Sequence, residues 1–325
     1  MAKAIRMHQI GGPEVLRFED IDPGEPGQGQ VRIRHTAIGL NFIDLYFRTG
    51  VYTAPSLPMT LGMEAAGVVE NLGPGVTEFK IGDRVAYATA PMGAYIEKRV
   101  MPVDRLVPIP AEIDDKTAAA MMLKGTTAQY LLRRTYRVQP GDTILLHAAA
   151  GGVGLIACQW AKQLGATVIG TVGSEAKAKL AASHGCDYPI IYTKENFTQR
   201  VREITKGEGV LVVYDSVGKD TFMGSLDCLR PLGCMVSFGQ SSGKVPPFDL
   251  GLLTTKGSLF LTRPTHNTYM AKRQDLLASA NELFQVVKQG KVKIEIKQTF
   301  PLKDAATAHR ALEARETTGS TVLLP

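Results

Sequence analysis

The chain has 325 residues and a mass of 35.1 kDa, 44% apolar and 21% charged, which is long for one hydrophobic core and comfortable for two. Net charge is +6, yet no run of Lys and Arg with interleaved aromatics occurs, which argues against nucleic acid as a partner. No segment reaches about 18 consecutive apolar residues and the N-terminal stretch lacks an apolar core of signal length, so no membrane segment is expected.

Residues 3–7 read as a first strand and 16–21 as a second, separated by the turn Gly11-Gly12-Pro13. Val31, Ile33, His35 and Ala37 alternate with Arg32, Arg34 and Thr36, the pattern of a half-solvated antiparallel strand. A short helix or tight turn is expected at 41–48 (NFIDLYFR), then a proline-bearing loop at 52–61. Strands follow at 65–72, 80–85, 94–102 and 106–109. Many short strands with Gly/Pro turns describe a β-barrel-like domain. After Pro110 the pattern becomes helical. One helix is expected from 114 to 123 and another from 128 to 137, with Gly125, Thr126 and Thr127 between them.

Residues 143–154, TILLHAAAGGVG, organise the second half. A short apolar run reads as a buried parallel strand, and small residues lead into a helical pattern. Strand, small-residue turn and helix is the setting a dinucleotide fingerprint requires: the backbone can approach a pyrophosphate, and the helix offers free N–H groups. Ala148 stands where that fingerprint usually opens with Gly. The next strand, 167–171, ends without the acid that would accept from adenine-ribose hydroxyls. Ser174 and Lys177 follow, a hydroxyl and a cation suited to a 2′-phosphate, so NADPH is favoured over NADH. Glu175 is expected to face solvent. Further strands at 188–191, 210–214, 234–238 and 258–262 alternate with helices, which predicts an open parallel sheet covered on both faces. The closing elements, a helix at 275–289, strands at 300–302 and 321–324 and a helix at 305–315, are expected to return to the first domain. Cys158, Cys186, Cys228 and Cys234 are scattered and read as small core residues in a reducing compartment, so a cytoplasmic protein is expected.

The segments HAAAGGVGLIACQWAKQLGA at 147–166, NFIDLY at 41–46, VYDSVG at 213–218 and VSFGQSSG at 236–243 together resemble the zinc-independent quinone oxidoreductases of the medium-chain dehydrogenase/reductase superfamily. The resemblance covers the whole chain. It implies an α/β protein with a GroES-like β-barrel catalytic domain, 1–122 and 266–325, and a Rossmann doubly wound parallel sheet, 123–265. It implies NADPH in the cleft between them, hydride transfer to a quinone, and a homodimer. Position by position it assigns Asn41, Phe42, Ile43, Asp44, Leu45 and Tyr46 beside the nicotinamide and ribose, and Tyr130 near the cofactor. It assigns Gly152 and Val153 to the pyrophosphate turn and Ser174, Lys177 and Tyr192 to the 2′-phosphate. Ser216, Phe238, Gln240 and Ser241 would lie under the cofactor, with Gln240 where relatives commonly carry Asn. Thr262, Arg263 and Pro264 would form a late loop by the nicotinamide, and Arg315 a C-terminal contact.

On this resemblance no metal is expected. Zinc-containing relatives carry four close cysteines, whereas 86–108 contains none, and Asn41 and Met63 stand where those relatives use Cys and His. Glu64 is then a buried hydrogen-bond or ion-pair partner. His35 and His147 read as structural. Asn41 and Tyr46 are the catalytic candidates: Asn41 to orient cofactor or substrate, Tyr46 to donate to a quinone oxygen. Reduction of α,β-unsaturated carbonyl compounds is the alternative reaction, with Tyr46 or Tyr52 answering the enolate. The apolar strand 258–262 is the expected dimer edge, burying Leu259 or Leu261 against a two-fold copy.

Overall fold

The computed structural model describes residues 1–88 and 90–325. The chain divides into two compact units: Met1–Thr126, Met270–Lys288 and Ile294–Pro325 form one, Thr127–Tyr269 and Gln289–Lys293 the other.

The first unit is built around the strand Gln30–Leu40. It pairs antiparallel with Glu64–Leu72, with Lys98–Pro102 and with the C-terminal strand Ser320–Leu324. It serves three partners because Lys98–Pro102 and Ser320–Leu324 take successive stretches of it, 30–34 and 38–40, while Glu64–Leu72 runs along 31–39 with register slips at Arg32/Ile33 and His35/Ala37. Such bulges bend and twist a strand, and they curl this sheet toward a barrel. The alternation seen in the sequence is real here: Val31, Ile33 and Ala37 are buried while Arg32 and Arg34 face outward. A smaller sheet joins Leu16–Ile21, Ala2–Met7 and Met59–Thr60. The shared core contains Ile5, Ile33, Leu40, Leu61, Met101 and Leu323, so the last strand closes the core that the first strands begin.

The second unit is a six-stranded parallel sheet. Its order is Tyr188–Ile191, Thr167–Val172, Thr143–Leu146, Val210–Asp215, Leu229–Ser237 and Phe260–Thr262. Thr143–Leu146 sits centrally and is buried on both faces, which is why its sequence is continuously apolar. The strand order reverses there, and ligands of such sheets bind beyond the carboxyl ends at that point.

Two expectations are corrected. No break occurs at Gly125: a single helix, Asp115–Tyr130, runs through it into a wider turn, Leu131–Thr135. Thr126 bonds back to the Met122 carbonyl, which lets a turn-forming residue sit inside a helix. Gly125 is a packing glycine rather than a breaker, since a Cβ there would lie 2.5 Å from Leu283. At the sheet edge the observed strand is only Phe260–Thr262. Leu259 lies in the unit's own core and is not available to a partner, whereas Phe260 is 62% and Leu261 36% exposed. Ser258, in the left-handed region at φ 56°, reverses the backbone just before the strand.

Candidate functional site

The small-residue turn forms because the backbone folds on itself after Leu146. Ala148 adopts φ 56°, the left-handed conformation usually given to glycine, so this chain accepts strain to keep the turn. Gly154 cannot be replaced without moving backbone: a Cβ would meet the Ala148 carbonyl and stand 2.7 Å from Ala149. The helix Gly152–Gln163 starts at once, and no side chain caps it among the described residues. Its first-turn amides, including those of Gly152 and Val153, are donors without a side-chain acceptor, a ready seat for a pyrophosphate.

The 2′-phosphate candidates Ser174 and Lys177 follow the strand Thr167–Val172. Ser174 caps the helix Glu175–Ala182 by accepting from the Lys177 N–H, which leaves its own hydroxyl hydrogen to donate. A Cβ on Gly173 would lie 2.9 Å from the Tyr192 hydroxyl, so Tyr192 reaches over this loop. Glu175 points outward and pairs with Lys194 at 2.8 Å, both side chains well exposed. That exposed pair adds little stability, but it gives the carboxylate a partner of its own.

Under the other side of the sheet, Ser216, Phe238 and Ser241 are joined by backbone: Phe238 N–H donates to Asp215 and Ser241 N–H to Ser216. Arg263 is tied to the loop that follows the strand Leu229–Ser237. Its guanidinium donates to the Ser237 carbonyl and hydroxyl and to the Gly239 carbonyl, each at 3.0 Å, and to Gln240 Oε1 at 3.1 Å. It braces that loop. Thr262 is half-buried on the edge strand and Pro264 is buried next to it. Tyr130 is buried, stacked on Tyr269 with ring centroids 4.4 Å apart. Burial holds its hydroxyl well above the usual phenol range.

Sequence spacing shows no Ser/His/Asp arrangement, yet the fold assembles one. Ser225 donates to Asp215 at 3.0 Å, so its oxygen accepts from His147 Nε2 at 2.9 Å, and His147 Nδ1 accepts from Thr171 at 2.8 Å. All four residues are buried. Burial pushes the His147 pKa down, which keeps the ring neutral as this bonding pattern requires. The carboxylate faces the serine and not the histidine, so the order is wrong for nucleophile activation. The chain ties together the carboxyl ends of three central strands, directly behind the turn.

In the first unit Asn41 precedes the helix Phe42–Arg48. The Asp44 carboxylate accepts from the Asn41 N–H at 2.9 Å, and the Asn41 side-chain amide donates to Glu64 Oε1 at 2.8 Å. Glu64 is fully buried. It also accepts from Lys124 Nζ and from the Leu123 N–H, both at 2.6 Å. The expected buried pairing of Glu64 is therefore observed. Its partner Lys124 was not foreseen, although a single Lys after the run AAAMML was the available signal. Tyr46 is half-buried with its ring edge-on to Tyr52 at 5.3 Å; Phe42 is exposed and Ile43 half-buried.

Asp44 and Leu45 are buried within this unit. Tyr95 donates to Asp44 at 2.9 Å, and His309 Nε2 lies 3.1 Å from the Tyr95 oxygen. Burial raises Asp44 to about 7 and lowers His309 to about 3. His35 is structural as expected, held by the Ile96 carbonyl and the Tyr87 hydroxyl. Arg315 lies exposed just beyond the helix Ala305–Glu313, at φ 58°. Among the described residues no group of three or more His, Cys, Asp or Glu is placed to hold a metal ion.

Residues 27–111 match the alcohol dehydrogenase GroES-like domain and residues 152–274 match the zinc-binding dehydrogenase domain. A quinone oxidoreductase of Pseudomonas aeruginosa is 57% identical over 325 residues, covering 100% of both chains. A 2-haloacrylate reductase of a Burkholderia species is 48% identical, covering 100% of this chain and 99% of its own. The crystal structure of Escherichia coli quinone oxidoreductase complexed with NADPH superposes with a TM-score of 0.98 at 49% identity, covering 100% of both chains.

Proposed function

The chain belongs to the zinc-independent quinone oxidoreductases of the medium-chain dehydrogenase/reductase superfamily, and from that membership we propose that it reduces quinones with NADPH. The local observation that supports the cofactor assignment is that Tyr192 reaches over Gly173 beside the Ser174 cap, at a strand end that has no acid, with Lys177 in the first turn of the helix that follows. When bound, NADPH supplies a hydride, and an electron-poor quinone ring accepts it with little acid–base help. The protein's work is placement. Gly152 and Val153 would hold the pyrophosphate with their amides, and Ser174, Lys177 and Tyr192 the 2′-phosphate. Ser216, Phe238, Gln240, Ser241, Thr262 and Pro264 would support the cofactor from the loop that Arg263 braces. Asn41 would orient the nicotinamide end and Tyr46 would donate to a quinone oxygen, with Phe42, Ile43, Tyr130 and Arg315 as further contacts. On this reading 1–122 with 266–325 is the catalytic part and 123–265 the cofactor-binding part.

Lys177→Ala tests the assignment. A charge-assisted hydrogen bond of roughly 1.5–3 kcal/mol corresponds to about ten- to a hundred-fold weaker NADPH binding. NADH affinity should stay where it was, because NADH lacks that phosphate. Nicotinamide fluorescence titrations with both nucleotides read the difference; equal losses for both would refute it. The 48% identity to a 2-haloacrylate reductase keeps activated alkenes as a second substrate class. Comparing NADPH oxidation with a benzoquinone and with an enone separates the two.

We further propose a homodimer through the sheet edge. Phe260 and Leu261 are exposed on a short unpaired edge, with Leu232 69% exposed on the neighbouring strand. A two-fold copy would cover these groups. Phe260→Lys should shift sedimentation from a dimer to a species near 35.1 kDa. A monomeric native protein at micromolar concentration would count against pairing. Four free cysteines, three of them buried, suit the reducing cytoplasm in which we place the protein. No helix among the described residues is long and apolar enough to cross a membrane.

A further inference from the structure

The unusual feature of the first unit is an ion pair buried next to Asn41. Lys124 and Glu64 are 6% and 0% exposed, and their charged atoms are 2.6 Å apart. A buried pair of this kind is weak evidence for stability, since well-packed apolar residues often do as well. Its geometry points elsewhere. Glu64 Oε1 accepts from both Lys124 and Asn41, while Oε2 accepts from the Leu123 N–H. The backbone is pressed against this carboxylate, because a Cβ on Gly39 would collide with it. An ionised carboxylate has only acceptor atoms. Asn41 must therefore turn its NH2 toward Glu64, and that same nitrogen also reaches the Gly39 carbonyl at 3.5 Å. The amide oxygen lies on the side of the Asp44 N–H, in the capping box of the helix Phe42–Arg48, and keeps a lone pair to accept from a ligand.

We infer that Lys124 and Glu64 are positioning residues: the ammonium holds the buried carboxylate in place, and the carboxylate fixes the Asn41 amide in one orientation. Asn41 then offers an acceptor oxygen to a donor on the ligand, such as a ribose hydroxyl or a carboxamide NH2. It is the wrong partner for a quinone carbonyl, which leaves that task to Tyr46. Without Lys124 the buried carboxylate loses its counter-charge and must find a new partner, and the amide is no longer held in one orientation. The inference rests on the reading that Asn41 works at the nicotinamide end.

The test is a double-mutant cycle on steady-state quinone reduction. Asn41→Ala should lower kcat/KM about ten-fold, the effect of one lost hydrogen bond. Lys124→Met should lower it by a similar factor, and the Asn41→Ala/Lys124→Met double variant should fall no further than Asn41→Ala alone. Lys124→Met is also expected to be less stable, so Glu64→Gln/Lys124→Gln provides the second arm. That pair carries no buried charge and folds without an ionic penalty. The side-chain amide introduced by Glu64→Gln can offer either end to Asn41, so the kinetic loss should persist in a well-folded enzyme. Full activity of Glu64→Gln/Lys124→Gln, or multiplicative losses in the cycle, would overturn the positioning role while leaving Asn41 in place. If Asn41→Ala alone left turnover and cofactor affinity unchanged, the site reading and this inference would fall together.

Discussion

Glu64→Ala should destabilise the fold by about 3–5 kcal/mol, a large share of the stability of an ordinary domain. The carboxylate is fully buried and accepts three hydrogen bonds, from Lys124 Nζ, the Asn41 amide and the Leu123 N–H. Truncation leaves an ammonium, an amide and a main-chain donor without an acceptor in a dry environment. The unpaired charge dominates, because a buried ion costs far more than a lost neutral hydrogen bond. Glu64→Leu/Lys124→Met should recover most of the loss, since it removes both charges and keeps volume. Urea unfolding of wild type, Glu64→Ala and the double variant measures both effects. Equal losses in the single and double variants would show that packing, not charge, sets the cost.

Much of the architecture was legible because periodicity and punctuation agree along the chain. Thr143–Leu146 reads as a buried strand and is one, and the residues after it form a helix with an uncapped start. The failures have physical causes. Gly125 and Thr126 look like a break when only local preference is weighed, but Leu283 packs on the glycine and the threonine returns its hydroxyl to the helix. Leu259 looks like an edge residue until the left-handed Ser258 turns it inward. The motif NFIDLY marks the correct helix but cannot say which side chains face out. Asp44 and Leu45 turn into the core, while Phe42, Ile43 and Tyr46 remain at least partly exposed. Neither the Glu64–Lys124 pair nor the chain from Thr171 through His147 and Ser225 to Asp215 has a local signature. Their members lie 60 and up to 78 residues apart for single bonds, and only the tertiary fold brings them together.

Acidification between pH 7.5 and 5.0 should cost about 3–4 kcal/mol through a few buried groups alone. Burial lowers His35 and His309 to about 3 and His266 to about 4, against an ordinary 6.5. In that window the unfolded chain binds these three protons and the native state does not. The stability they contribute is complete above pH 6.5 and is lost as pH falls, about 2 kcal/mol per histidine by pH 5.0. His147, also lowered, acts in the same direction. Asp44 opposes them: raised from 3.8 to about 7, it binds its proton in the fold first and returns about 2–3 kcal/mol over the same window. Asp44→Asn isolates that contribution. An amide oxygen can still accept from Tyr95 and from the Asn41 N–H, which both reach Oδ2. The variant no longer gains on acidification, so its loss between pH 7.5 and 5.0 should exceed that of wild type by about 2–3 kcal/mol. Urea midpoints at pH 7.5, 6.0 and 5.0 give both slopes. A wild-type midpoint that holds steady to pH 5.0 would mean that the buried histidines do not stay neutral in the fold. Parallel curves for the two proteins would mean that Asp44 is ionised throughout.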